Sequence, residues 1–231
     1  CMMIADQINA DQDQFKQTTL SIDQLDELRI AALLHDTGKI TTPDHIINKS
    51  LRLETVFDRF ELIRTRWDLF KTQVRLKSEQ EKLLVIKSGS LDGVEAIDSR
   101  CRQAINTLDK ELAVLSAINS CKTRLDASQL QQLELINQKQ MEVDGELIPY
   151  LTDSEFNNLS IHAGTLTGKE RKIINSHADL SEKILNKLPW PKKLKNIPSI
   201  AGAHHEKLDG TGYPLKLTRD QLNIQARILA V

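Results

Sequence analysis

Aromatic side chains are scarce in this chain, at 4% of 231 residues, so any core has to be assembled mostly from Leu, Ile, Val and Ala. Cysteine is scarcer still. The three present, Cys1, Cys101 and Cys121, make no CxxC pair and no metal-ligand spacing. That excludes a disulfide-stapled scaffold and a thiolate zinc site, and it fits a reducing, cytoplasmic setting. No apolar run approaches the roughly 20 residues of a bilayer-crossing helix, so no membrane contact by this segment is expected. An excess of either charge is missing too: 32 acidic and 31 basic side chains leave a net charge of -1. Such a balance offers no general surface for a nucleic-acid polymer or a lipid headgroup layer. Sustained period-two alternation and Asn-Gly turns are absent, and with them the sequence signature of strands. What remains is an all-α globular chain. Its ends read as cut, because it opens Cys1-Met2-Met3 and closes on an apolar run, residues 224–231, with no helix-stop residue after it.

The helical pattern is clear along most of the length. Residues 23–34 carry Leu25, Leu28, Ala32 and Leu33 toward one side, with Ser21 or Asp23 as N-cap, and Gly38 and Pro43 end the element. From residue 51 to about 140 the composition turns long, charged and helical. There Val56, Phe60, Ile63, Trp67, Phe70 and Val74 recur at alternating steps of four and three, which is a heptad seam. After a break at Ser88-Gly89-Ser90 the seam resumes with Val94, Ile97, Cys101, Ile105, Leu108, Leu112 and Leu115. Two such helices joined by a short loop are expected to fold as an antiparallel hairpin, followed by a polar third helix over residues 128–141 that ends near Asp144-Gly145. Capping boxes at Thr152-Asp153-Ser154-Glu155 and Thr167-Gly168-Lys169-Glu170 then mark a return to compact structure. The second box opens a helix expected to reach about residue 187, stopped by Pro189 and Pro191. Further helices are expected over residues 197–205 and from residue 225 onward.

Chemistry concentrates in three places. The run His204-His205-Glu206-Lys207-Leu208-Asp209-Gly210-Thr211-Gly212-Tyr213-Pro214 sets two of the chain's six histidines side by side before a stiff turn. Neutral imidazole is a ready metal ligand near neutral pH. Upstream, His35-Asp36-Thr37-Gly38-Lys39 closes another apolar run. An imidazole there can bind one ion while a carboxylate bridges to a second, and Lys39 can reach back from four residues on to meet an anionic oxygen. Each element alone has a plainer explanation: a His-Asp pair at a helix end, or a core histidine at His177. His45 and His162 keep the plain reading, as solvent or capping residues. Asp209 reads as the cap of its turn. Glu206 is open between orienting a neighbouring histidine and capping, and Arg227 between a phosphate and a local acid.

Taken in order, the His-Asp-x-Gly-Lys box, His177 and the box from His204 to Pro214 resemble the HD-GYP family, a subgroup of the HD metal-dependent phosphohydrolases. The resemblance covers residues 30–48 and 151–231. It implies an HD-type helical bundle, truncated at both ends, laid out as residues 1–50, a helical insertion over 51–145, and residues 146–231. It further implies His35, Asp36, His177, His204 and His205 as ligands of divalent metal ions, two of them, iron or manganese first, with Asp36 bridging. Asp36 and Lys39 would be the catalytic pair, and Lys39, Gly212, Tyr213 and Pro214 would meet the substrate. That substrate would be a cyclic dinucleotide, cyclic di-GMP first, in a bacterial second-messenger pathway and within a larger sensory protein. The family also has a ligand upstream of the His-Asp box and an Asp just beyond the Ala-Arg-Ile-Leu-Ala-Val stretch. Residues 1–34 contain no histidine, so five of the usual ligands are expected here. The alternatives are an HD phosphohydrolase acting on another nucleotide, and a catalytically weak interaction module. The module's hairpin would bind a signalling partner or form a homodimer, with Phe60, Trp67 and Phe70 exposed.

Overall fold

Side-chain caps decide where several helices begin. Ser21 accepts from the Gln24 backbone N–H while the Gln24 side chain accepts from the Ser21 N–H; Asp126 with Gln129 and Thr152 with Glu155 repeat the arrangement. The computed structural model describes residues 1–13, 15, 16, 18–89 and 93–231. The chain is all-helical there, apart from one two-stranded hairpin. In chain order the elements are α1 (Met2–Ala10), α2 (Ile22–Leu34), α3 (Asp44–Ile47), α4 (Phe60–Lys87), α5 (Val94–Ser120), α6 (Ala127–Asn137), β1 (Gln140–Val143), β2 (Glu146–Pro149), α7 (Asp153–Leu159), α8 (Gly168–Asn175), α9 (His177–Leu185), α10 (Ile197–Gly202) and α11 (Ile224–Leu229). No helix among the described residues is long and apolar enough to cross a membrane.

Two compact units result. The first joins Cys1–Ile47 to Gly168–Val231, and the second is Asn48–Thr167. In the first, Leu28, Ile8 and Ile228 form one apolar cluster, and Ala31, Leu185, Ile197 and Ile200 form another. Helix α2 also carries the buried carboxylate of Glu27. It accepts from the Asn196 backbone N–H at 2.9 Å, from Asn196 Nδ2 at 3.2 Å and from Gln225 Nε2 at 2.9 Å, which ties α2 to the start of α10 and to α11. Such a buried anion is tolerable because neutral donors satisfy it.

The second unit is built on the expected hairpin. Trp67 Nε1 donates to the Leu108 carbonyl at 3.0 Å, Arg100 pairs with Glu81 at 2.9 Å, and Lys82 pairs with Asp98, so α4 and α5 run antiparallel. Phe60, Trp67 and Phe70 are 5%, 0% and 0% exposed, packed in the unit's own core, which removes the support for a partner-binding seam. Arg52, fully buried, donates to the carbonyls of Cys121, Thr123, Leu159 and Ile161 and so laces the base of this unit together.

Several expectations are corrected. Val56 lies before α4 and is exposed, so the seam starts at Phe60; Leu33 is exposed as well. Asp144-Gly145 is not a helix end. Both residues have positive φ, 50° and 84°, and turn β1 into β2 as a two-residue hairpin. Tyr150, Leu151 and Leu159 then pack into the insertion's core, so residues 146–167 belong with it. The helix expected from residue 168 to 187 is two helices, α8 and α9, and His177 opens the second. Of the break at Ser88-Gly89-Ser90, Ser90 lies outside the described residues.

Candidate metal centre

Every residue singled out for chemistry falls in the first unit. His35 and Asp36 follow the end of α2, where a 3₁₀ turn, Thr37–Thr41, replaces the helix. That turn lies against α9 because residue 38 is glycine: a Cβ there would sit 2.7 Å from the Ser181 backbone nitrogen and closer still to the His177 carbonyl oxygen. Ser181 joins the two elements. Its hydroxyl donates to the His35 carbonyl at 2.6 Å and accepts from the Gly38 N–H at 2.8 Å. His204 and His205 come just after α10 rather than within it, which brings them over the same place.

Three imidazoles are oriented by one device. Nδ1 of His35 donates to the Ala32 carbonyl at 2.9 Å, and Nδ1 of His177 and of His204 donate likewise to Ile174 and Ala201. A carbonyl can only accept, so each Nδ1 carries a proton, and in the neutral ring Nε2 then presents a lone pair. Those lone pairs converge. His177 Nε2 and His204 Nε2 stand 3.0 Å apart, and they lie 3.3 Å and 3.8 Å from Asp36 Oδ1. That Oδ1 is buried and has no hydrogen-bond partner. On its other side Asp36 Oδ2 meets His35 Nε2 at 3.3 Å and Lys39 Nζ at 2.8 Å. Two overlapping groups, His177–His204–His205 and His35–Asp36–His204, therefore have the donor atoms to hold a metal ion. Facing lone pairs around an orphaned carboxylate oxygen repel one another unless a cation lies among them, so the residues fit such an ion.

The electrostatics agree. Burial, helped by the neighbouring His205, His35 and His177 and opposed by the Ala201 carbonyl, holds His204 down to about 4. His205 is lowered too, by burial and then by His177. Both are neutral ligands at neutral pH. Burial works against ionising Asp36, but the Lys39 hydrogen bond and the nearby His35 outweigh it and hold the carboxyl below its usual range. Tyr213 is pushed up by burial and by Asp36, so its phenol stays protonated. Its ring stacks on His205, with centroids 4.6 Å apart.

Glu206 neither binds in the cluster nor orients a histidine. Its buried carboxylate accepts from the backbone N–H groups of Leu215, Lys216 and Leu217 at 2.6, 3.1 and 2.9 Å, and so pins the loop carrying Gly212, Tyr213 and Pro214. Gly212 fits there because its α-carbon lies against the Glu206 backbone, where a Cβ would be 2.5 Å from Cα. Asp209 Oδ1 accepts from the Thr211 N–H and hydroxyl and caps its own turn. Arg227 is spent on the carbonyls of Leu222 and Arg219, and His45 and His162 are exposed. The sequence pattern missed Ser181, although its position four residues after His177, on the same helix face, was a usable signal.

Comparison with known proteins points the same way. A family model described as HD domain matches residues 100–231, and a second HD domain model matches residues 1–97. A Vibrio cholerae serotype O1 protein named 3'3'-cGAMP-specific phosphodiesterase 3 is 42% identical over 66 residues, 29% of this chain and 14% of that protein. The 3'3'-cGAMP-specific phosphodiesterase 2 of the same organism is 38% identical over 69 residues, 29% of this chain and 13% of its own length. A third, named "Probable cyclic di-GMP phosphodiesterase", is 37% identical over 79 residues, 32% of this chain and 18% of that protein. The chain thus spans less than a fifth of each curated relative it matches. No solved structure matches it.

Proposed function

This chain belongs to the HD domain family, and from that premise we propose that it hydrolyses a cyclic dinucleotide as a metal-dependent phosphodiesterase of the HD-GYP type. The supporting observation is the convergence of the His177 and His204 Nε2 lone pairs on the orphaned Oδ1 of Asp36. His35, Asp36, His177, His204 and His205 would hold divalent ions, two in this proposal, with iron or manganese first and Asp36 between them. Bound ions would supply Lewis acidity toward the phosphoryl oxygens and make water a nucleophile near neutral pH.

The chain's own residues do the rest. Lys39 keeps its ammonium half-exposed beside Asp36, where it can neutralise charge growing on a phosphoryl oxygen. Tyr213, protonated and braced on His205, offers a hydrogen-bond donor rather than a negative charge to an anionic substrate. Glu206 fixes the loop that keeps Gly212, Tyr213 and Pro214 beside the histidines.

Cyclic di-GMP is the first substrate proposed. A second, 3'3'-cGAMP, is favoured by the names of two of the relatives. A place in bacterial second-messenger signalling, in the cytoplasm and downstream of a sensory domain, goes with both. The test incubates the protein, loaded with Mn²⁺ or Fe²⁺, with each dinucleotide and follows the linear product by chromatography. Turnover of one and not the other decides between them; no product from either sinks the proposal. Metal analysis of His204→Ala and Asp36→Ala checks the centre, and unchanged metal in both variants refutes the ligand assignment.

A further inference from the structure

Four leucines of α4, Leu62, Leu69, Leu76 and Leu83, recur every seven residues on the side of the helix away from its buried seam, and they are 49%, 42%, 47% and 56% exposed. A single exposed leucine is ordinary. A row of four at one interval is not explained by the hairpin, whose own seam runs through Phe60, Ile63, Trp67 and Phe70. An interval of seven suits a second α-helix, because a supercoiled pair keeps one stripe in contact over successive heptads. We propose that this face pairs with the same face of a second copy of the chain, in antiparallel orientation.

Charge on the flank selects that occupant. Glu61 and Asp68 stand one residue before the first two leucines, and Arg75 and Lys82 one residue before the last two. The flank is therefore acidic toward one end and basic toward the other. In an antiparallel pair it faces its own counterpart reversed, so Asp68 meets Arg75, a contact made twice by the two-fold symmetry, while Lys82 stays with Asp98 and Glu79 of its own chain. A parallel pair turns the same flank toward Arg66, Gln73, Gln80 and Lys87. There Asp68 faces an uncharged Gln73, and the opposite-charge contact of Glu61 with Arg66 calls on a guanidinium already bound by both carboxylate oxygens of Glu155. The two-fold axis of the antiparallel pair passes close to Thr72.

Light scattering and sedimentation of the full chain test this. The expected result is a dimer that Leu69→Glu combined with Leu76→Glu converts to a monomer of unchanged helicity. Asp68→Arg alone should weaken the dimer roughly tenfold or more, and adding Arg75→Asp should restore it, so the outcome stays readable if the leucine variant fails to fold. In a background with Cys1, Cys101 and Cys121 changed to serine, Thr72→Cys should cross-link two chains on oxidation. Thr65→Cys, about 20 Å from its symmetry mate, should not. A monomer at every concentration overturns the proposal and leaves the face to another partner. A dimer indifferent to the leucine and charge changes, or cross-linking at both positions as in a parallel pair, overturns it equally.

Discussion

One methyl group at Gly38 should loosen the candidate metal centre without altering any of its side chains. In Gly38→Ala the new Cβ would lie 2.7 Å from the Ser181 nitrogen, 2.9 Å from its hydroxyl and closer still to the His177 carbonyl oxygen. A carbon needs about 3.3–3.6 Å from an oxygen, so α9 has to retreat from the 3₁₀ turn by roughly 1 Å. His177 moves with it, away from an Asp36 Oδ1 that it faces at 3.3 Å, and the Ser181 bridge to His35 and Gly38 opens. Metal sites hold their ligand distances to about 0.2 Å, so a shift several times larger should lower metal affinity by roughly 10–100-fold. Overpacking of this kind costs about 1–3 kcal/mol, or roughly 2–12 °C in melting temperature for a chain of this size. Gly168→Ala is the control, since a Cβ there meets nothing within 4 Å, and alanine in a helix is favoured over glycine by up to about 1 kcal/mol. Calorimetry of the metal-free proteins and metal analysis after dialysis read both effects. Wild-type melting and metal content in Gly38→Ala, or equal damage in Gly168→Ala, would refute the reasoning.

Three further outcomes are expected. Between pH 6.5 and about 4 the metal-free folded chain keeps His204 neutral while the unfolded chain takes up its proton. Stability should therefore fall as pH is lowered through that interval, less so in His204→Gln, and a melting temperature flat across it in both proteins contradicts the assignment. Glu206→Gln leaves three backbone N–H groups facing an amide instead of an anion and should cost about 1–3 kcal/mol, measured by thermal melting; no change means the loop is held otherwise. Trp67→Ala removes the largest fully buried side chain of the hairpin and its bond to the Leu108 carbonyl, and should cost about 3–5 kcal/mol. Denaturant unfolding followed by circular dichroism checks it, and a loss below 1 kcal/mol shows that the α4–α5 seam is not what holds the insertion.

Local signals account for what was legible in the sequence. Caps such as Ser21 with Gln24 and Thr152 with Glu155 act over three residues, and the Phe60 to Val74 seam acts over steps of three and four, so helix starts and the antiparallel hairpin could be read directly. The Asp144-Gly145 turn is equally local, but it reads as a helix end because its strands are only four residues each, too short to show alternation. The order of the His-Asp box, His177 and the His-His box named the residue types that a metal centre needs.

Only the tertiary structure decided how those residues are aimed. Ser181 meets Gly38 across 143 residues of chain and His35 across 146, separations over which no periodicity speaks. The same holds for Glu206, whose carboxylate could be given a partner only once the loop at Leu215–Leu217 had folded back onto it. Residues 146–167 likewise joined the insertion because Tyr150, Leu151 and Leu159 find their apolar neighbours there. Residue type and spacing determine which chemistry is available and where helices begin. Which groups face one another depends on chain closure at long range, where the free energy lies in packing and in satisfying buried polar atoms.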